Sequence, residues 1–138
     1  MIKLVTDRTE NDVLLKNEKG VYRADDLNRV ESAVEEVKKY LPILGSSVHL
    51  STKTDWELHD GFSASADPTE SQMNRYIKNV TKIRDIFNIP IDLPVSMSLL
   101  TFDGANKIEE VLEIAISKAE ATVQSYFYGG EIYAGEVF

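Results

Sequence analysis

ADDLNRVESAVEEVKKYLP, residues 24–42, is the stretch whose reading decides the fold. Leu27, Val30, Val34, Val37 and Leu41 recur at spacings of three and four. On a 3.6-residue period they form one apolar stripe, with Asp, Glu, Arg and Lys around the rest of the turn. Pro42, which has no N–H, is placed to end the helix. Asp25 and Asp26 stand at its start, where carboxylates complement unpaired N–H groups. Glu31, Glu35 and Glu36 fall on the polar side and read as a solvated acidic face.

The same period extends to both sides. In DPTESQMNRYIKNVTKIRDIFN (67–88), Met73, Tyr76, Val80, Ile83 and Phe87 keep the step, and Ile77 widens the stripe. Asp67 is the expected N-cap, with Pro68 at the first helical position and Glu70 closing a capping box. In TFDGANKIEEVLEIAISKAEATVQSYFYGG (101–130), Ala105, Ile108, Leu112, Ala115, Ala119, Thr122 and Tyr126 form the seam. Gly129 is the expected stop, which gives a rod over 102–128 of roughly 40 Å. TDRTENDVLLKN (6–17) predicts a short helix capped by Thr6 or Asp7 with Glu10, and ended by Gly20. NIPIDLPVSM (88–97) is an extended connector, because Pro90 and Pro94 restrict the residues before them.

Residues 42–66 are harder to read. Val48 and Leu50 alternate with small polar residues, as a short strand would, and Trp56 and Phe62 are expected to fold the connection onto the helices. The expected class is mainly α: three long helices in a bundle plus a short N-terminal helix, with minor β at the two chain ends. The 138 residues read as one domain with a strand-like C-terminal tail over 129–138.

That tail is YFYGGEIYAGEVF, residues 126–138. Three consecutive helical residues span about 200°, so Tyr126, Phe127 and Tyr128 cannot all face one core. After the glycine pair, Glu131–Phe138 reads as a strand with mixed faces. Ile132, Ala134, Glu136 and Phe138 lie on one, and Glu131, Tyr133, Gly135 and Val137 on the other. Its neighbour is either Ile2–Val5, in a ribbon that is marginal alone, or the sheet edge of a partner. Tyr126, Phe127, Tyr128, Ile132, Tyr133, Val137 and Phe138 are therefore the candidate partner-binding residues.

Composition narrows the function. The formal net charge is −8, and no basic stripe is present, as phosphate recognition requires. Nucleic acid and anionic membrane surfaces are not expected partners. With no cysteine, disulfides, thiolate metal sites and a cysteine nucleophile are excluded. His49 and His59 share one loop, which falls short of a metal site drawing several fixed ligands together. Neither a nucleophile elbow nor a phosphate-cradling glycine loop occurs. The expectation is a non-enzymatic protein without cofactor or metal.

Six stretches, in order along the chain, carry a family resemblance. They are DRTENDV (7–13), DDLNRVE (25–31), KTDW (53–56), PTESQMNRYIKNV (68–80), LPVSMSLLTFDGANKIE (93–109) and YGGEIYAGE (128–136). The chain resembles small structural proteins encoded in the tail modules of phages and prophages of Firmicutes. Members often carry a longer, Trp-containing insert where this chain has only LLKNEKGVYRA (14–24). The resemblance implies a virion component near the baseplate or tail fibres, made in the host cytoplasm. It would bind other tail proteins and copies of itself. The alternative is an assembly chaperone or accessory binding protein that never joins the particle.

Overall fold

The apolar stripes do become buried seams. In the computed structural model, which describes residues 3–17, 19–20, 22–56 and 69–132, four α-helices follow in order: α1 (Glu10–Leu15), α2 (Ala24–Tyr40), α3 (Glu70–Ile86) and α4 (Phe102–Ile132). One 3-10 turn, Met97–Leu99, precedes α4. The architecture is mainly α, and no strand occurs among the described residues. Helix α2 packs on both α3 and α4, and α3 packs on α4.

Every stripe residue of α2 is buried, from Leu27 to Leu41. So are Tyr76, Ile77, Val80 and Ile83 of α3, while Met73 and Phe87 flank the core. Helix α4 buries its expected seam from Ala105 to Ala119, and adds Val111 and Ile116. The wider stripe follows from position: α4 faces two helices, so two sides of it leave water. Each of these aliphatic side chains contributes roughly 1.5–3 kcal/mol on full burial.

The helix ends show where local chemistry was read correctly and where it was not. Helix α3 is capped by Thr69, whose Oγ1 accepts from the Gln72 N–H at 3.1 Å, while Gln72 Oε1 accepts from the Thr69 N–H at 2.9 Å. The expected cap, Asp67 with Pro68, lies outside the described residues. Its far end is a Schellman motif. Asn88 turns left-handed with φ 52°, and the Ile89 N–H donates to the Arg84 carbonyl at 3.0 Å. Helix α1 is capped by Thr9 with Asp12, not by Thr6 or Asp7 with Glu10. It ends at Lys16 in the left-handed region rather than at Gly20. Gly20 has a different role: a Cβ there would lie 1.9 Å from the Asp12 carbonyl oxygen, so only glycine lets the returning chain close on α1.

Two expectations need correction. Helix α4 does not stop at Gly129 but continues through Gly130 to Ile132, so part of the expected strand-like tail is helical. A glycine costs a helix only about 1 kcal/mol against alanine, and it terminates one only when it turns left-handed. At the other end, residues 3–9 are irregular, and parts of both strands of the expected ribbon, Ile2 and residues 133–138, lie outside the described residues. The connection after α2 is likewise irregular over 46–56, although Leu50 and Trp56 fold down and are buried as expected. Phe62 and residues 133–138 lie outside the described residues.

Val34 and Val80 are almost fully buried where the helices meet. Val34→Asp or Val80→Asp would place an unpaired charge there. Each is expected to cost about 3–5 kcal/mol or more, a large share of a typical 5–15 kcal/mol total. Loss of cooperative thermal melting by circular dichroism is the readout, and native-like melting of either variant would contradict the packing.

Candidate functional site

Three carboxylates that the sequence placed on helix faces or ends are buried, and each is bound by arginine. Glu109, on α4, is fully enclosed. Its Oε1 accepts from the Val5 N–H at 3.0 Å and from Arg29 Nε, and its Oε2 accepts from Arg8 and from Arg29 Nη2 at 2.8 Å. Four acceptor bonds fill the capacity of a carboxylate. Asp26, in the first turn of α2, joins both arginines through Oδ1 and accepts from the Arg23 N–H through Oδ2 at 2.7 Å. Two cations and two anions thus close a neutral cluster between α2, α4 and the N-terminal segment. Beside it, Arg8 lies 5.6 Å from the Tyr22 ring centroid, and the Tyr22 hydroxyl meets that of Tyr76.

The second cluster centres on Glu31 of α2. Arg75 of α3 binds it with both terminal nitrogens, at 2.8 and 2.9 Å, and Trp56 donates its indole N–H at 2.7 Å. Arg75 and Asn79 also donate to the Ser51 carbonyl. The connection between α2 and α3 is thereby pinned across both helices. Glu31 and Asp26 therefore correct the reading of the α2 acidic residues as a solvated face or helix-end complement alone. Glu35 and Glu36 remain half-exposed, and a hydrogen bond from the Thr52 hydroxyl holds the Glu35 carboxyl below its usual range.

Two asparagines complete these clasps in the same way. Asn106 donates to the Arg8 carbonyl and accepts from the Arg8 N–H, both at 2.9 Å. Asn28 does the same for Trp56, both at 2.7 Å. Each side-chain amide satisfies the two backbone groups of one extended residue, as a neighbouring strand would. Among the described residues no buried side-chain nitrogen or oxygen lacks a partner.

Among the described residues, two depressions adjoin the N-terminal segment and α1. One of about 510 Å³ lies between the N-terminal segment and the start of α2, with Lys3, Asp7, Arg23 and Asp25 in its wall. The other, about 380 Å³, runs between α1 and the start of α4, lined by Val13, Tyr22, Leu100, Phe102 and Ala105, with Glu10 and Lys19 at its edge. Helix α1 buries none of its residues, and Val13, Leu14 and Leu15 are exposed, Leu14 by 74%.

Of the sequence-derived candidates, Tyr126, Phe127, Tyr128 and Ile132 lie on the last turns of α4. Tyr133, Val137 and Phe138 lie outside the described residues. Over residues 102–125 of α4 the last buried residue is Ala119, and none of residues 120–125 is buried. His49 is exposed, and His59 lies outside the described residues. No group of three metal-ligating side chains occurs among the described ones.

Comparison with protein-family models, with curated proteins and with solved structures gave no match. The stretches that carry the resemblance nonetheless have a clear place in the fold. Arg8, Asp26, Asn28, Arg29, Glu31, Trp56, Arg75, Tyr76, Asn79, Asn106 and Glu109 all come from five of the six, and together they make both clusters and both asparagine clasps.

Removing one member of such a cluster strands its partners. Glu109→Ala leaves Arg8 and Arg29 sharing only the Asp26 carboxylate and should destabilise by about 3–5 kcal/mol. Replacing the set together by apolar residues (Arg8→Met, Arg29→Met, Asp26→Leu, Glu109→Leu) should recover much of that loss in a denaturant titration. The tyrosine pair adds a pH dependence. Burial is the largest cause and raises both hydroxyls above their ordinary value of 10.0; the Tyr22–Tyr76 hydrogen bond opposes the rise at Tyr22 and adds to it at Tyr76. Their contribution is complete below pH 10 and falls as pH rises through and beyond it, because the unfolded chain releases those protons first. The variant with both Tyr22→Phe and Tyr76→Phe should lose less stability than the native chain between pH 9 and pH 11, which thermal melts would show.

Proposed function

We propose that this chain is a non-enzymatic assembly protein, a structural adaptor of a phage tail or baseplate, that works through protein–protein contacts at its two ends. The three long helices serve as a rigid bundle that spaces those ends. The observation that supports this most directly is the division of its side chains. The buried charged groups are committed to internal clasps, with Glu109 accepting four hydrogen bonds. The consecutive apolar residues Val13, Leu14 and Leu15 are meanwhile left in water. An exposed apolar cluster rimmed by polar residues is the ordinary mark of a contact surface. The tail-module assignment rests on the six sequence stretches, and the final aromatic segment is the second contact.

No helix is long and apolar enough to cross a membrane, among the described residues, so contact with other chains is the simplest use for that surface. Particles purified from a producing host test the proposal. The chain should be recovered by mass spectrometry in fixed stoichiometry with tail proteins. Recovery only in the particle-free lysate would favour the chaperone reading instead.

A further inference from the structure

Residues 3–17 are bonded to the helical bundle at one place. Arg8 is the only one of them that is buried. Its N–H and C=O meet the Asn106 side chain, both at 2.9 Å, and its guanidinium lies between Asp26 and Glu109. The Val5 N–H donates to Glu109 at 3.0 Å. Among the described residues, every other hydrogen bond of residues 3–17 stays within residues 3–20. Leu4 packs at the margin of the core, whose buried apolar residues begin only at Leu27.

The bundle keeps its own fastenings when this segment leaves its seat. Helix α2 remains tied to α4 by Arg29, which reaches Glu109 through Nε and Nη2. The seat is polar, so on opening water replaces the bonds that are lost, and Glu109 exchanges burial for hydration. A segment with few buried apolar contacts opens well before the whole molecule unfolds. The open seat presents two carboxylates, Asp26 and Glu109, against one guanidinium, Arg29. It lacks the single positive charge that Arg8 supplies.

We infer that residues 3–17 form a strap that opens as one unit while the long helices stay folded, and that the open seat takes the strap of a second copy. The seat selects an arginine whose own N–H and C=O can meet a side-chain amide, with a further N–H three residues before it. A second copy carries that segment unchanged. Every bond of the seat is then remade, and only the chain between strap and α2 takes a new path. Exchange of an identical element is a low-cost route to association. A dilute chain closes on itself, because its own strap is tethered beside the seat at high effective concentration. The contact between copies rests on the assembly reading, whereas the opening rests on the seat alone.

Hydrogen exchange on the full-length chain reads the opening. The amides of Val5 and Arg8 should exchange together and ahead of those of Val34, Val80 and Ile108 in the bundle. Arg8→Ala should abolish protection of the Val5 amide and leave the bundle amides protected and the helical circular dichroism unchanged. Sedimentation velocity reads the exchange between copies. Arg8→Ala has an intact seat and a failed strap, and Glu109→Gln an intact strap and a failed seat. Each alone should be monomeric. Their mixture should form one-to-one dimers of twice the 15.5 kDa chain mass and nothing larger. A labelled peptide of residues 3–9, which does not depend on the folding of Glu109→Gln, should bind the Arg8→Ala chain and not the native chain, whose seat is filled. Val5 and Arg8 amides that exchange only with the bundle, loss of the bundle in Arg8→Ala, a mixture of folded variants that stays monomeric, or a peptide that ignores the empty seat would each overturn the inference. A mixture that stays monomeric beside a native chain found in particles would leave the assembly reading standing and remove only this contact.

Discussion

The carboxylate of Glu109 is the point on which the rest of the structure depends. It lies in the seam of α4, among Ile108, Val111 and Leu112, where a lone charge would be severely penalised. Arg29 reaches it from α2 and Arg8 from the N-terminal segment, and Asp26 balances the two cations. With these partners present, helix α2 is fixed against α4 at its N-terminal end, and the N-terminal segment is drawn onto both. Further along α2, Glu31 plays the corresponding part toward α3 through Arg75. Apolar seams can slide by a turn with little change in buried area. Bidentate and shared arginine pairs cannot, so the two clusters set the register of the helices.

The irregular segments obey the same rule by another route. Extended backbone must bond its N–H and C=O groups, and strands ordinarily provide the partner. Here the polar side chains of α2 and α4 do so. Asn106 and Glu109 take up the N-terminal segment, and Asn28 takes up the chain at Trp56. A helical protein can therefore hold irregular connections in place through side-chain bonds from its helices. The short helix α1 follows directly from this pinned segment, which explains how a helix of six residues with no buried side chain keeps a defined place.

These assignments also bear on function. Five of the six stretches that suggest tail proteins hold the residues of the clasps, so their side chains are occupied within the fold. The sixth, YGGEIYAGE, begins on the last turns of α4, and residues 133–136 of it lie outside the described residues. The exposed helix α1 buries none of its residues, so the core of the described residues does not require it. That division, with buried charges held in internal clasps and the apolar residues of α1 left exposed, is the physical basis of the proposed role in assembly.

The sequence by itself determined the three long helices, because their apolar residues repeat at three and four and that period is visible without knowing any neighbour. It also placed Trp56 on the core and Tyr126, Phe127 and Tyr128 on the last helix. What only the tertiary structure decided is the fate of the charges. Asp26, Glu31 and Glu109 look like any solvated acidic residues on a helix, since nothing within a few positions marks them. Their partners, Arg8, Arg29, Arg75 and Trp56, are for the most part 18 to 101 residues away along the chain. The cap of α1 is equally undecided by local sequence, since Thr6, Asp7 and Thr9 all compete there and only the fold selects Thr9. The passage of α4 through Gly129 and Gly130 was missed because a glycine pair stops a helix only when it turns left-handed. Periodicity is a local property and survives in the sequence, whereas the pairing of distant charges exists only once the chain has folded.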